Sequence, residues 1–234
     1  MHALPRSPAE RRELLGLLTR QEQTQRRNQL AAYSPYAKQA SFHAAGLDSR
    51  ERLLMAANQV GKTLAGGAEV AMHLTGLYPE WWAGRRFDKP TRGWVGSVTG
   101  EVTRDNAQRV LVGPPRDRTA WGEGMIPGDA LGRTSLRSGI PDALDGVLVQ
   151  HLSGGMSSLG FKTYEAGRTK WQGETLDFVW FDEEPPMDIY IEGLTRTNAS
   201  GGVVYITFTP IFGMSDVVHM FLESEKEAGN GSGA

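Results

Sequence analysis

Cysteine is missing altogether from the 234 residues, which excludes disulfides and thiolate metal sites and agrees with a reducing compartment. No run approaches the roughly 18 apolar residues that a membrane-spanning helix needs. The opening "MHALPRSPAERRELLGLLTRQ" has no long apolar core behind a basic start, so no secretory signal is expected. An excess of one charge is missing too, since 25 Lys and Arg stand against 27 Asp and Glu. A polyanionic partner would have to be met by local patches rather than by a global field. What is present is ordinary apolar content on a length that supports one substantial core and a small appendage. The expectation is a soluble protein with the cytoplasm as its default location.

Residues 8–32, "PAERRELLGLLTRQEQTQRRNQLAA", cluster Leu14, Leu15, Leu17 and Leu18 early and continue as a charged stretch, which predicts a helical arm amphipathic only in its first half. That arm is either a solvated helix packed on the main domain or a docking surface for a neighbouring subunit. "YSPYAKQASFHAAGL" predicts a turn and a short helix, and "ERLLMAA" a first buried strand. "TLAGGAEVAMHLTGLYP" reads as a helix closed by Gly76 and Pro79, "GWVGSVTG" (93–100) as a strand, and "EVTRDNAQRVLVG" (101–113) as a helix. The Gly-, Pro-, Arg- and Asp-rich stretch 114–146 is expected to be an irregular surface excursion. "DGVLVQHL", "LGFKTYE", "LDFVWF" (176–181) and "GVVYITFTP" (202–210) are further strands. Apolar strands separated by helices give an α/β chain with a mainly parallel central sheet flanked by helices. From 224 the tail "SEKEAGNGSGA" reads as a flexible linker or a cut end.

The chemistry lies first in "LLMAANQVGKTLAGG" (53–67). A phosphate loop (P-loop) runs from a strand through a short gap to Gly-Lys-Thr or Gly-Lys-Ser opening a helix. Here the frame is Ala56, Ala57, Asn58, Gln59, Val60, Gly61, Lys62 and Thr63, with alanine in place of the usual first glycine. The helix N-terminus and backbone N–H groups would hold the phosphates of ATP, with Lys62 on the β- and γ-phosphates and Thr63 on Mg²⁺. Because alanine tolerates positive φ poorly, Ala56 is expected at negative φ. The second element is "TLDFVWFDEEPP" (175–186), an apolar strand ending in Asp182, Glu183 and Glu184. A carboxylate just past such a strand can hold the hydration shell of Mg²⁺, and the next can deprotonate an attacking water.

Three weaker features fit the same site. In "YSPYAKQASF", Tyr33 or Tyr36 could stack on adenine while the Gln39 amide bonds its edge, or these aromatics are simply core or rim residues. Thr207 and Thr209 in "ITFTP" end a strand with their side chains on one face, where hydroxyls could sense a γ-phosphate, though threonine is an ordinary strand residue. Arg168 and Lys170, in "EAGRTKWQGE", could bring a cation to the leaving phosphate or could be solvated surface charges.

"SPYAKQASFHAAG", "MAANQVGKTLAGGAEVAMHLTGLYPEWW", "GRTKWQGETLDFVWFDEEPPMDIYIEGLTRTN" and "ITFTPIFGMSDVV" resemble the large terminase subunit of headful-packaging, tailed double-stranded DNA bacteriophages, from about Tyr33 to His219. The resemblance implies a RecA-like, additional-strand (ASCE) P-loop NTPase fold at 33–223. It implies a homo-oligomeric ring, a pentamer, on the portal of an empty procapsid, with a monomer expected when isolated. It implies that ATP hydrolysis drives double-stranded DNA inward without sequence specificity, with portal protein and small terminase subunit as partners, in the host cytoplasm and outside the mature virion. Lys62 and Thr63 become the nucleotide and metal residues, Asp182 the metal-binding acid, Glu183 the catalytic carboxylate, Gln39 an adenine reader, and Thr207 to Thr209 the coupling motif. Many relatives carry an arginine inside the phosphate loop near Asn58. This sequence has none there, which turns attention to Arg168, or another basic residue, supplied by a neighbouring subunit. Family members continue into an RNase H-like nuclease, so the chain is expected to be the ATPase half only and not to cut DNA, with "GRRFDKPTR" (84–92) and "RDR" (116–118) as candidate DNA contacts. A helicase-like ATPase and a portal-docking module that binds ATP without hydrolysing it stay open as rivals.

Overall fold

A computed structural model of the chain describes residues 7–57, 61–210 and 216–230, the stretch 224–230 as backbone only. The helical arm is α1 (Pro8–Arg26), opened by a Ser7/Glu10 capping box, and α2 (Gln29–Ala32). No residue of α1 is buried, and Leu14, Leu15, Leu17 and Leu18 are all exposed. Leu30 of α2, by contrast, joins the main core. Then come α3 (Ala37–Ala45), β1 (Glu51–Met55), α4 (Lys62–Thr75) and β2 (Arg92–Ser97). The helix expected at 101–113 is α5 (Gly100–Thr103) and α6 (Arg109–Val112), joined through a π-helical turn, Arg104–Gln108.

The expected irregular excursion at 114–146 is corrected in part. It contains β3 (Leu131–Leu136), which pairs antiparallel with β4 (Leu144–Gln150). Strand β3 was illegible because it is a solvated edge whose side chains are at most half-buried, so no apolar alternation marks it. The turn joining β3 to β4 is held from inside the molecule, where the Gln108 amide donates to Asp142 O and accepts from Leu144 N. After β5 (Met156–Thr163) and β6 (Phe178–Asp182) come α7 (Met187–Thr197), β7 (Val203–Phe208) and α8 (Asp216–Asn230). The helix α8 runs through residue 230, so the stretch from 224 begins as helix rather than linker, and only 231–234 of that stretch lie outside the described residues. Buried Val217 and Val218 fix its start on the second core cluster.

The seven strands form one sheet in the order β1-β7-β6-β2-β5-β4-β3. The pairings from β1 through β5 are all parallel. The expected first buried strand is therefore an edge strand, and its burial alternates. The centre is β6, buried at every position. Its pleat divides the core: Phe178 and Trp180 face the cluster under α4 and α6, while Val179 and Phe181 face the cluster under α7 and α8. Gly66 lets α4 lie directly on the sheet, because a Cβ there would meet the Trp180 ring at 2.5 Å. Since β1, β7, β6 and β2 run parallel, their carboxyl ends lie along one edge, the usual ligand edge of an open α/β sheet.

Candidate active site

At that edge β1 gives way to Ala56 and Ala57; Asn58, Gln59 and Val60 lie outside the described residues. Gly61 closes the loop at φ 75° as the N-cap of α4. Among the described residues of the loop, Ala56 does not have positive φ and Gly61 does, where a left-handed turn costs least. Lys62 is buried and its Nζ donates to Ala57 O at 2.7 Å, which folds the ammonium over its own loop. The amino end of a 14-residue helix adds its partial positive charge to the same spot.

The acidic strand meets this helix directly. Thr63 Oγ1 donates to Asp182 Oδ1 at 3.0 Å, and Thr207 Oγ1 donates to the same oxygen at 3.1 Å. Burial pushes the Asp182 carboxyl up to about 7, the neighbouring Glu183 charge adds to this, and the Thr63 and Thr207 hydrogen bonds and the Lys62 charge offset it only in part. Asp182 Oδ2 is buried with no partner. One carboxylate oxygen left open beside one hydroxyl suits a hard cation that keeps several waters and takes its other oxygens from phosphate, as Mg²⁺ does. Among the described residues no group of three or more His, Cys, Asp or Glu could form a protein cage for a metal. Glu183 follows at φ 79°, a conformation that non-glycine side chains rarely adopt. Its N–H donates to Thr207 O at 2.8 Å, and its Oε2 lies 3.5 Å from Thr209 N.

Of the other expected site residues, Gln39 reaches the loop: its amide donates to Gly61 O at 3.0 Å and accepts from Tyr36 N at 2.9 Å. Tyr36 is exposed, whereas Tyr33 is a core residue whose hydroxyl meets His43 Nε2 at 3.0 Å. Thr207 reaches the site through Asp182 rather than with a free hydroxyl, because its Oγ1 also accepts from Trp180 Nε1 at 2.8 Å. Arg168 is held by its own chain: Nε and Nη2 both donate to Glu192 Oε1 on α7, at 2.8 and 2.7 Å. The segment 84–92 feeds the start of β2, at the sheet edge opposite the phosphate loop, and Arg86 lies over the Tyr78 ring. Arg118 pairs with Asp142 at 2.9 Å.

A family model described as terminase large subunit, T4likevirus-type, N-terminal, matches residues 53–230. The chain belongs to this large-terminase-subunit family. It is 41% identical to the large terminase subunit of Salmonella phage P22 over 95% of this chain and 48% of that protein. Against the large terminase subunit of Enterobacteria phage LP7 identity is 27% over 95% of this chain and 50% of that one. The chain thus spans about half the length of these curated relatives. The fold matches that of a large terminase from a thermophilic bacteriophage, with a TM-score of 0.53 at 14% identity over 76% of this chain and 40% of that one. A second structure of that thermophilic phage terminase, in complex with ADP, matches with a TM-score of 0.50 at 15% identity over 75% of this chain and 38% of that one.

Three residues escape a reading of the family's motifs. The Tyr164 hydroxyl donates to Glu183 O at 2.7 Å and lies 3.1 Å from Gly96 O, so it clamps the left-handed peptide of the expected catalytic acid from beneath. Burial, and then the charges of Asp182, Glu183 and Glu184, push its pKa well up and keep it a donor. Trp180 orients Thr207. Ser97, fully buried at the end of β2, carries a hydroxyl without a partner. Only its position could have marked it, the last residue of a strand that ends at the ligand edge.

Proposed function

We propose that this chain is the ATP-hydrolysing motor domain of a large terminase subunit, which moves double-stranded DNA through a portal into a procapsid. The observation that carries the reading is the 3.0 Å bond between Thr63 and Asp182, which joins the phosphate-loop helix to the acidic strand across 119 residues of chain. Lys62 swings from Ala57 O to the β- and γ-phosphates. Thr63 and Asp182 would hold Mg²⁺, which would screen phosphate charge. Glu183 accepts a proton from a water as the water oxygen bonds to the γ-phosphorus and the bond to the ADP oxygen breaks. Two adjacent carboxylates, one buried beside Thr63 and the next only partly buried and held at positive φ, favour turnover over ATP binding alone.

The motor domain is assigned to 33–223 with the arm at 1–32, and a nuclease half is assigned to the remainder of a longer subunit. Loss of γ-phosphate contacts is relayed through Asp182 to Thr207 and Thr209 and on to a DNA-gripping surface. Gln39 reads adenine, and Arg168 leaves Glu192 to serve a neighbouring subunit in a pentameric ring, with portal protein and small terminase subunit as partners in the host cytoplasm. Steady-state ATP turnover measured over a wide protein concentration range tests this, with Glu183→Gln as control. Turnover that rises with concentration and falls about 10²- to 10⁴-fold in the control is the expected result. Nucleotide binding without any turnover above the control would instead overturn hydrolysis by this chain alone, in favour of the docking-module rival or of a dependence on the nuclease half and the portal.

A further inference from the structure

Ser97 Oγ and Asp182 Oδ2 are both buried and without a hydrogen-bond partner. They belong to neighbouring strands: Gly96 of β2 pairs with Phe181 of β6, and Ser97 and Asp182 are the next residue on each. They also share a face. Ser97 has the parity of Val95 and Asp182 that of Trp180, and both of those side chains lie in the cluster under α4. Thr207 of β7 completes the row, since it bonds Asp182 Oδ1 from the other side. Of the two hydroxyls that flank the carboxylate from the neighbouring strands, Thr207 is fully engaged and Ser97 is not.

Buried polar atoms without partners are few in native proteins, and each calls for a ligand, a water or a functional reason. A carboxylate oxygen can only accept, and a hydroxyl both donates and accepts, so the two could satisfy each other, yet they do not. A coordinated water, polarised by its cation, donates hydrogen bonds to acceptors of both kinds. We propose that Ser97 is a positioning residue at the metal end of the nucleotide site, where its Oγ accepts a hydrogen bond from a water in the hydration shell of the divalent cation that Asp182 binds. This rests on the reading of the site as one for Mg²⁺ and ATP.

The test is binding of a non-hydrolysable ATP analogue to the full chain, first with chelator and then across a Mg²⁺ titration, for the wild type, Ser97→Ala and Ser97→Cys. The thiol keeps the side-chain shape with a slightly larger atom, but accepts hydrogen bonds poorly. In both variants metal-free affinity should stay within about twofold, while the gain in affinity conferred by Mg²⁺ falls about three- to tenfold, the range of one hydrogen bond. A purely structural serine would alter melting without touching the Mg²⁺ dependence. If both variants keep the wild-type gain, or if Ser97→Cys keeps it while Ser97→Ala does not, the assignment of Ser97 is overturned and the nucleotide site stands. If the wild type itself gains nothing from Mg²⁺, the site reading fails and takes the Ser97 assignment with it.

Discussion

Asp182 and Glu69 are both buried carboxylates, each about 1% exposed, yet they are in opposite electrostatic states. Glu69, on α4, has both oxygens occupied. Arg52 of β1 reaches both of them, His43 Nδ1 meets Oε2 at 2.7 Å, and His73 Nε2 lies 3.3 Å from Oε1. Burial by itself would raise the Glu69 carboxyl. The Arg52 charge and the two histidine hydrogen bonds outweigh it and hold the pKa well below the usual carboxylate range. Asp182 has two hydroxyls on one oxygen and nothing on the other, and its pKa goes up. The first carboxylate already has its cation inside the chain; the second has no cation paired with it there, which is the basis for proposing that it takes one from solution. A buried charge stabilises a fold only when it is paired, so a site that leaves one open gives up stability for binding.

The largest effect should come from unpairing Glu69. Arg52→Met removes the guanidinium that also lies over the Phe42 and Tyr205 rings, at 4.8 and 5.2 Å, and should destabilise the fold by about 3–5 kcal/mol in urea unfolding. A loss below about 1 kcal/mol would show that the cluster is not held by charge.

Asp182→Asn should do the reverse. In metal-free protein it should raise stability by about 1–3 kcal/mol at pH 8, while it abolishes the Mg²⁺-linked gain in nucleotide affinity. The pH dependence separates the two regions further. Asp182, raised to about 7, makes the folded chain bind an extra proton between about pH 4 and 7, so its contribution is present at low pH and is lost as pH rises through 7. Glu69 is depressed, so its contribution is present above the ordinary carboxylate pKa near 4 and is lost as pH falls. His73, whose pKa burial lowers, works in the same direction below about 6.5. The stability difference between Asp182→Asn and wild type should therefore grow from pH 5 to pH 8; a flat difference would remove the contrast.

The smallest effect is expected from Tyr164→Phe. Without its hydrogen bond to Glu183 O, the left-handed peptide relaxes, and kcat should fall about 3- to 30-fold with analogue affinity within twofold of wild type. An equal fall in affinity would make Tyr164 part of the binding surface instead.

Much of the site was legible because its chemistry is local. Gly61, Lys62 and Thr63 are contiguous, as are Asp182 and Glu183, and each group sits where an apolar strand ends. The partners of these groups were not legible. Tyr164 and Ser97 carry no motif, Trp180 sits in the acidic strand with nothing to mark its bond to Thr207, and Arg52, in a stretch read as a buried strand, pairs with a glutamate 17 residues away. Strand β3 was not legible because its pattern lacks an apolar stripe where it meets solvent, and α8 was not legible because its sequence turns polar and glycine-rich from 224.

The sequence by itself determined the period and sign of most segments: which of the strongly apolar stretches are helix or strand, where the loop and the acidic pair fall, and, through their alternation, that the sheet is mostly parallel. Those properties follow from backbone sterics and from neighbours within a few residues. Only the tertiary structure decided the strand order, and with it that Ser97, Asp182 and Thr207 stand side by side while Arg168 turns to Glu192. Strand order is a property of long-range packing, and the pairing of a buried charge depends on whatever that packing brings within about 3 Å.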